Sequence, residues 1–193
     1  MNQIALKKMT VPEFLEWDDG TDTRYELIDG MAVAMNPPVT AHSAVVMSLG
    51  AAIKGQLKPP CRVLGEAGVS RADWQETYFV ADLVVSCDPL SRRSGFVANP
   101  LVIMEVLSAS TARHDRGLKL PAYRAIATVQ EIALVSLERQ HVEIWHRDGE
   151  DWLVKDLIGD AVAEFRSIGV AVPLSDIYEG VDFSEKADQD QTE

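Results

Sequence analysis

Long hydrophobic runs are missing from this chain, and with them the simplest membrane reading. Nowhere do apolar residues continue for the roughly 18 positions that a bilayer-spanning helix needs. The opening segment, MNQIALKKMTVPEF, has two lysines but neither an extended apolar stretch nor a small-residue cleavage site, so it does not read as a secretory leader. Cysteine is scarce. Cys61 and Cys87 are the two present, they do not form a metal-type pair, and one bridgeable pair in 193 residues is a weak mark of secretion. The expected location is cytoplasmic. Positive charge is also short: 18 Lys and Arg stand against 30 Asp and Glu, a net charge of −12. The last ten residues, SEKADQDQTE, supply −3 of that total, which leaves −9 for the rest. Such an acidic chain is not a general nucleic-acid coat, and any contact with nucleic acid must be local, through a basic patch or a bridging metal. For most of the acids, solubility is explanation enough. No GxSxG elbow, GxxxxGK[ST] phosphate loop or GxGxxG fingerprint occurs, which removes the common hydrolase and nucleotide-binding signatures.

What is present describes a globular α/β domain. Apolar residues make up 47% and charged residues 25%, and the length suits one domain, expected over 1–183, with an acidic and disordered tail over 184–193. Thr10 and Glu13 have capping-box spacing around Pro12, which predicts a short helix through Trp17. RYELI and MAVAM flank Asp29-Gly30, a strong hairpin signal. Thr40 is expected to cap a second helix through about Leu57, with Ala41, Ala44, Val45, Leu49, Ala52 and Ile53 as its buried stripe. Strands are predicted over 62–69 and 78–86, and LVIMEVL reads as a strand covered on both faces. A helix between Thr111 and Ile126 follows, and then a β-meander built from IALVSLE, HVEIWHR and DWLVKDL. The order gives an α/β (α+β) mixed sheet flanked by helices.

Two carboxylates fall where a structural protein rarely puts them. Alternation sets Asp82 on the strand face of Val80 and Val84, and Glu105 on the face of Ile103 and Leu107. A buried carboxylate must be protonated, paired or bound to metal. One such acid can be a salt-bridge anchor; two on neighbouring strands also suit a hard divalent ion, which takes one or two carboxylates and several waters. The segment after Glu105, LSASTARHDRGLKLPAYR, holds the one basic cluster of the chain, with Arg113, Arg116, Lys119 and Arg124. A lysine beside metal-bound carboxylates can stabilise phosphate charge, whereas for Arg113, Arg116 and Arg124 a solvated helix face is the better reading. His141 and His146 lie five apart on one strand and point to opposite faces, which makes them poor zinc ligands, and Trp74, Trp145 and Trp152 read as packing residues.

The combination of YELIDG, PPVTAHSAV, ADLVV and EVLSASTARHDRGLKLPAYR resembles the Uma-two family of restriction-endonuclease-like proteins, a branch of the PD-(D/E)XK nuclease superfamily. The likeness runs from about Thr10 to Phe183. It implies a restriction-endonuclease-like sheet, metal ligands at Asp82 and Glu105, and Mg²⁺ or Mn²⁺ as the ion. Leu107 stands where the parent motif has its lysine, and the family's substitute on the following helix matches Lys119. Glu26 matches the hairpin glutamate, either a further ligand of ion or water or an acid paired with an arginine such as Arg24, and His42 matches a helix-initial histidine. Ala81 replaces a proline, Pro121 interrupts the expected helix, and Ser136 replaces a strand-end aspartate. The implied activity is hydrolysis of DNA phosphodiester bonds, with weak, metal-assisted DNA binding; an inactive binding module of the same fold is the alternative. Because antiparallel strands present two related phosphates, a homodimer is expected, with edge material in the meander from Ile132 to Leu157 and with Trp145 and Trp152 near an interface.

Overall fold

A reciprocal capping box starts the chain's first helix, as the spacing of Thr10 and Glu13 suggests. Thr10 Oγ1 accepts from the Glu13 N–H at 3.4 Å, and Glu13 Oε2 accepts from the Thr10 N–H at 2.8 Å. In this computed structural model, which describes residues 8–71, 73–109 and 112–184, that helix is α1, Val11–Glu16. Strands β1 (Tyr25–Ile28) and β2 (Met31–Ala34) form the expected hairpin. Asp29 and Gly30 both turn with positive φ, 49° and 80°, the geometry that an Asp-Gly pair tolerates best in a two-residue turn. Helix α2 (Thr40–Gln56) differs in detail from expectation. Val39 occupies the cap position with no side-chain hydrogen bond, so Thr40 is the first helical residue, not the cap. Val45, Leu49 and Ile53 form its buried stripe, whereas Ala44 is exposed.

The main sheet runs in chain order: β3 (Arg62–Val69), β4 (Phe79–Ser86), β5 (Val102–Leu107), β6 (Glu131–Ser136), β7 (His141–Asp148) and β8 (Asp151–Ile158). Only β5 and β6 pair in parallel, and the crossover that parallel strands require is helical. It consists of α3 (Ala112–His114), a π-helical turn (Asp115–Lys119) and α4 (Leu120–Arg124). Every residue of β5 is buried, as a strand covered on both faces should be. On one face Leu83, Val85, Met104 and Ile144 pack under α2. On the other, Phe79, Val84, Ile103 and Leu134 pack under Leu120 and Tyr123 of the crossover. Each large side chain fully buried here contributes about 1.5–3 kcal/mol. Beyond the meander, β9 (Val162–Phe165), β10 (Val170–Pro173) and α5 (Leu174–Ile177) add a hairpin and a helical turn to the α2 side, elements the sequence reading did not resolve. Cys61 and Cys87 are bonded to each other and join the start of β3 to the end of β4. Among the described residues, no helix is long and apolar enough to cross a membrane. Residues 185–193 of the expected tail, and Thr111 at the predicted start of the crossover helix, lie outside the described residues.

One irregularity positions everything that follows. The β4–β5 ladder is short, pairing Leu83–Val85 with Val102–Met104. Asp82 and Glu105 are the next positions on the two strands, and there the ladder stops. Further along, β1 takes over the exposed edge of β4: Leu27 and Tyr78 exchange backbone hydrogen bonds of 2.8 Å in both directions. The gap between the end of β5 and the start of β1 leaves backbone groups of β4 to be satisfied by side chains.

Candidate active site

Side chains fill that gap. The Val80 N–H donates to Glu26 Oε1 at 2.9 Å, and Lys119 Nζ donates to the Val80 carbonyl at 3.3 Å. On the β5 side, the Val106 N–H donates to Asp82 Oδ2 at 2.7 Å instead of to a strand carbonyl. The parted strands are thus laced together by Glu26, Asp82 and Lys119, three of the residues singled out by the sequence.

Lys119 lies at the centre. Its ammonium sits 2.8 Å from Glu26 Oε1, 3.3 Å from Glu105 Oε1 and 3.5 Å from Asp115 Oδ1, and it is 6% exposed. The π turn explains how Pro121 is accommodated. The Leu120 N–H reaches back to the Asp115 carbonyl, one residue further than in an α-helix, and Pro121 falls in the first turn of α4, where its missing donor is tolerated. Four-residue spacing then carries Asp115, Lys119 and Tyr123 along one stripe facing the sheet. Tyr123 is fully buried and donates to Glu105 Oε1 at 2.6 Å.

The acids outnumber the base. Burial pushes the Glu105 carboxyl well above the usual carboxylate range; Lys119 and the Tyr123 hydroxyl pull it down, while Asp82 and Asp115 push it further up. Burial alone would lower the Lys119 ammonium, but Glu105, Glu26 and Asp115 more than offset it and hold it protonated. Tyr123 is pushed up as well, by burial and by the neighbouring Glu105 charge. His42, from the first turn of α2, places Nε2 at 3.3 Å from Asp82 Oδ2, and that hydrogen bond raises the imidazole above its ordinary value despite partial burial. His114 Nε2 stands 3.9 Å from Glu26 Oε2.

The expected cluster therefore assembles, with corrections. Glu26 is not paired with Arg24, which binds Glu66 at 2.6 Å instead. Asp115 and Tyr123 belong to the cluster and were missed as site residues, although their four-residue spacing to Lys119 could have found them. His42 touches Asp82 directly. The basic cluster is dispersed: Arg116 holds Glu143 through both terminal nitrogens at 2.6 Å, and Arg124 lies over the rings of Trp145 and Trp152. The tryptophans pack as expected. His146 faces away from His141 and bonds buried Glu131 at 2.9 Å. His141, however, is less isolated than the sequence suggested, because β8 brings Asp156 to it at 2.7 Å. With Glu143, these form a group whose ligand atoms lie within 4.8 Å of one another.

The donor set at β4 and β5 suits a hard divalent ion. Asp82 Oδ2 and Glu105 Oε1 take the hydrogen bonds described above, whereas Asp82 Oδ1 and Glu105 Oε2 accept none from the described residues. Two unspent carboxylate oxygens on adjacent strands leave the remaining positions of such an ion to water. At the second group, Glu143 is already neutralised by the Arg116 fork.

A six-stranded mixed sheet flanked by helices, with an acid–lysine cluster where two central strands part, defines a restriction-endonuclease-like fold. The chain belongs to the Uma2 family, described as "Putative restriction endonuclease", whose model matches residues 11–169. Two proteins of Synechocystis sp. are similar along most of their length. One, slr1290, is 29% identical over 184 residues, covering 91% of this chain and 94% of that protein. The other, sll1609, is 25% identical over 161 residues, covering 80% and 90%. The crystal structure of a protein from Anabaena variabilis, described as a "putative nuclease belonging to DUF820", superposes with a TM-score of 0.71 at 20% identity, over 88% of this chain and 97% of that one. At that identity the likeness speaks to the fold.

Proposed function

We propose that this protein is a metal-dependent endonuclease that hydrolyses DNA phosphodiester bonds. In this reading Asp82 and Glu105 hold a Mg²⁺ or Mn²⁺ ion, Lys119 assists, and Glu26 positions Lys119. The observation that carries it is the pair of unspent oxygens, Asp82 Oδ1 and Glu105 Oε2, next to a buried, protonated lysine. A bound divalent ion supplies Lewis acidity at the phosphate and lowers the pKa of water. The protein's own groups do the rest. The Val106 N–H fixes the rotamer of Asp82, and the Tyr123 hydroxyl fixes that of Glu105. Glu26 and Asp115 keep Lys119 charged, so an ammonium is available to the charge that grows on the phosphate oxygens. His42 lies beside Asp82 and can orient water or phosphate there. DNA is the substrate this family description favours, and two antiparallel strands favour a pair of chains acting together.

The test is cleavage of supercoiled and linear duplex DNA, and of RNA of matched sequence, with Mg²⁺ or Mn²⁺. The wild type should cut DNA. Asp82→Asn and Glu105→Gln should each lower the rate by at least about 100-fold, and Lys119→Ala should do so with ion affinity largely kept. Lys119→Arg should rescue only in part, because a planar guanidinium does not replace a compact ammonium. Cleavage of RNA alone would overturn the substrate, and full activity in Asp82→Asn would overturn the site. A wild type that binds the ion and cuts neither substrate would make the protein the inactive module of its fold.

A further inference from the structure

The outer edge of β8 is an unpaired strand edge. β8 ends the sheet, and no strand among the described residues pairs with its far side. At the opposite end β3 is partly closed by the 88–99 loop, whose Val97 N–H donates to the Gly68 carbonyl at 2.8 Å. Natural edges are usually blunted by proline, by a bulge, by shortness or by charged side chains, lysine above all. β8 has no proline and no bulge and pairs residue for residue with β7 over its full eight residues, and the charges it carries, Asp151, Lys155 and Asp156, are of both signs. Its side chains are also unusually apolar for an edge, with Leu153 58%, Val154 47% and Ile158 67% exposed. Asp151 and Lys155 are both exposed, and neither side chain has a hydrogen-bond or ion-pair partner among the described residues.

We propose that β8 pairs antiparallel with β8 of a second copy of this chain, centred on Leu153, and so continues one sheet through the dimer. The charge pattern selects the register. Opposed residues in an antiparallel pair point to the same face, so two-fold pairing can centre only on a residue, not between two. Centring on Lys155 sets lysine against lysine, and centring on Asp156 sets aspartate against aspartate. Centring on Val154 places Lys155 against Leu153 and Trp152 against Asp156. Centring on Leu153 instead places Asp151 opposite Lys155 of the second copy, twice, around a Leu153 pair. On the other face Trp152 meets Val154, also twice.

The backbone agrees. Asp148 and Asp151 close the two-residue Gly149–Glu150 turn, a pair that bonds inward in such hairpins. Alternation then leaves the N–H and C=O groups of Trp152 and Val154 directed outward, and in this register these two residues face each other across the axis.

Sedimentation velocity on the full chain, from about 1 to about 100 µM, tests it. The wild type should show a concentration-dependent monomer–dimer equilibrium. Lys155→Asp and Asp151→Lys should each weaken association about tenfold or more, because each puts like charges opposite one another twice. An equimolar mixture of the two variants should recover the dimer, since every aspartate then faces a lysine. Asp82→Asn should dimerise like the wild type whether or not the chain cuts DNA, which separates this interface from the proposed activity. A monomer throughout the range, a dimer indifferent to either single charge change, or a mixture that fails to recover would each overturn the proposal.

Discussion

Lys119 is asked to neutralise more than one lysine can. Glu26, Glu105 and Asp115 all approach it within 3.5 Å, and Asp82 adds a fourth carboxylate that acts on Glu105. The excess falls on Glu105, whose carboxyl is pushed toward its protonated form, first by burial and then by Asp82 and Asp115. The consequence for stability has a definite sign. A carboxyl raised on folding binds its proton more tightly in the folded state, so the stability it confers is complete below the ordinary carboxylate range and is lost as pH rises through the raised value. Without divalent ion, the wild type should therefore lose stability relative to Glu105→Gln as pH rises above the ordinary carboxylate range, because glutamine keeps the shape and carries no charge. Urea denaturation of both chains over that rise in pH checks it. Curves that stay parallel would mean that Glu105 is ionised throughout, with its burial cost met elsewhere. A divalent ion should reverse the slope, since it favours the ionised carboxylate.

At the scale of elements, much was legible where one residue type decides local geometry. Thr10 with Glu13 gave the first helix, Asp29-Gly30 gave the hairpin, and the unbroken apolar run around Glu105 gave a strand buried on both sides. Two features were hidden because tertiary contacts create them. The parting of β4 and β5 at Asp82, just before Leu83, cannot be read from either strand alone, because it depends on how the two strands and β1 meet. The approach of His42 to Asp82 depends on how α2 lies across the sheet. The β9–β10 hairpin escaped for a simpler reason: four-residue strands are too short to show a period. Pro121 looked like a threat to the position of Lys119, and the π turn absorbs it. A glycine in β3 supplies a test of how tightly this end of the sheet is packed. A methyl group at Gly68 would overlap the Tyr78 hydroxyl and the Gly95 carbonyl oxygen, which are themselves hydrogen-bonded at 2.9 Å. Gly68→Ala should destabilise the protein by about 1–3 kcal/mol in chemical denaturation, the usual cost of overpacking. A change within about 0.5 kcal/mol would show that the β3–β4 end yields freely.

On the scale of the whole molecule, the sheet divides its labour between its middle and its edge. The central strands β4 and β5, with the crossover above them, build the acid–lysine site. The meander carries the sheet outward to β8, whose apolar edge is separated from that site's strands by β6 and β7. On β7 and β8 lies a second group of ligand-type side chains, His141, Glu143 and Asp156, held by the Arg116 fork and the histidine hydrogen bond. Which group takes the ion is the question on which the proposed nuclease chemistry depends. Calorimetric titration of Mn²⁺ into the wild type, Asp82→Asn, Glu105→Gln and His141→Ala decides it. The wild type and His141→Ala should bind with equal affinity, and Asp82→Asn and Glu105→Gln should lose binding. Undiminished Mn²⁺ affinity in Asp82→Asn and Glu105→Gln, with loss in His141→Ala, would contradict the assignment and move the metal centre to β7 and β8.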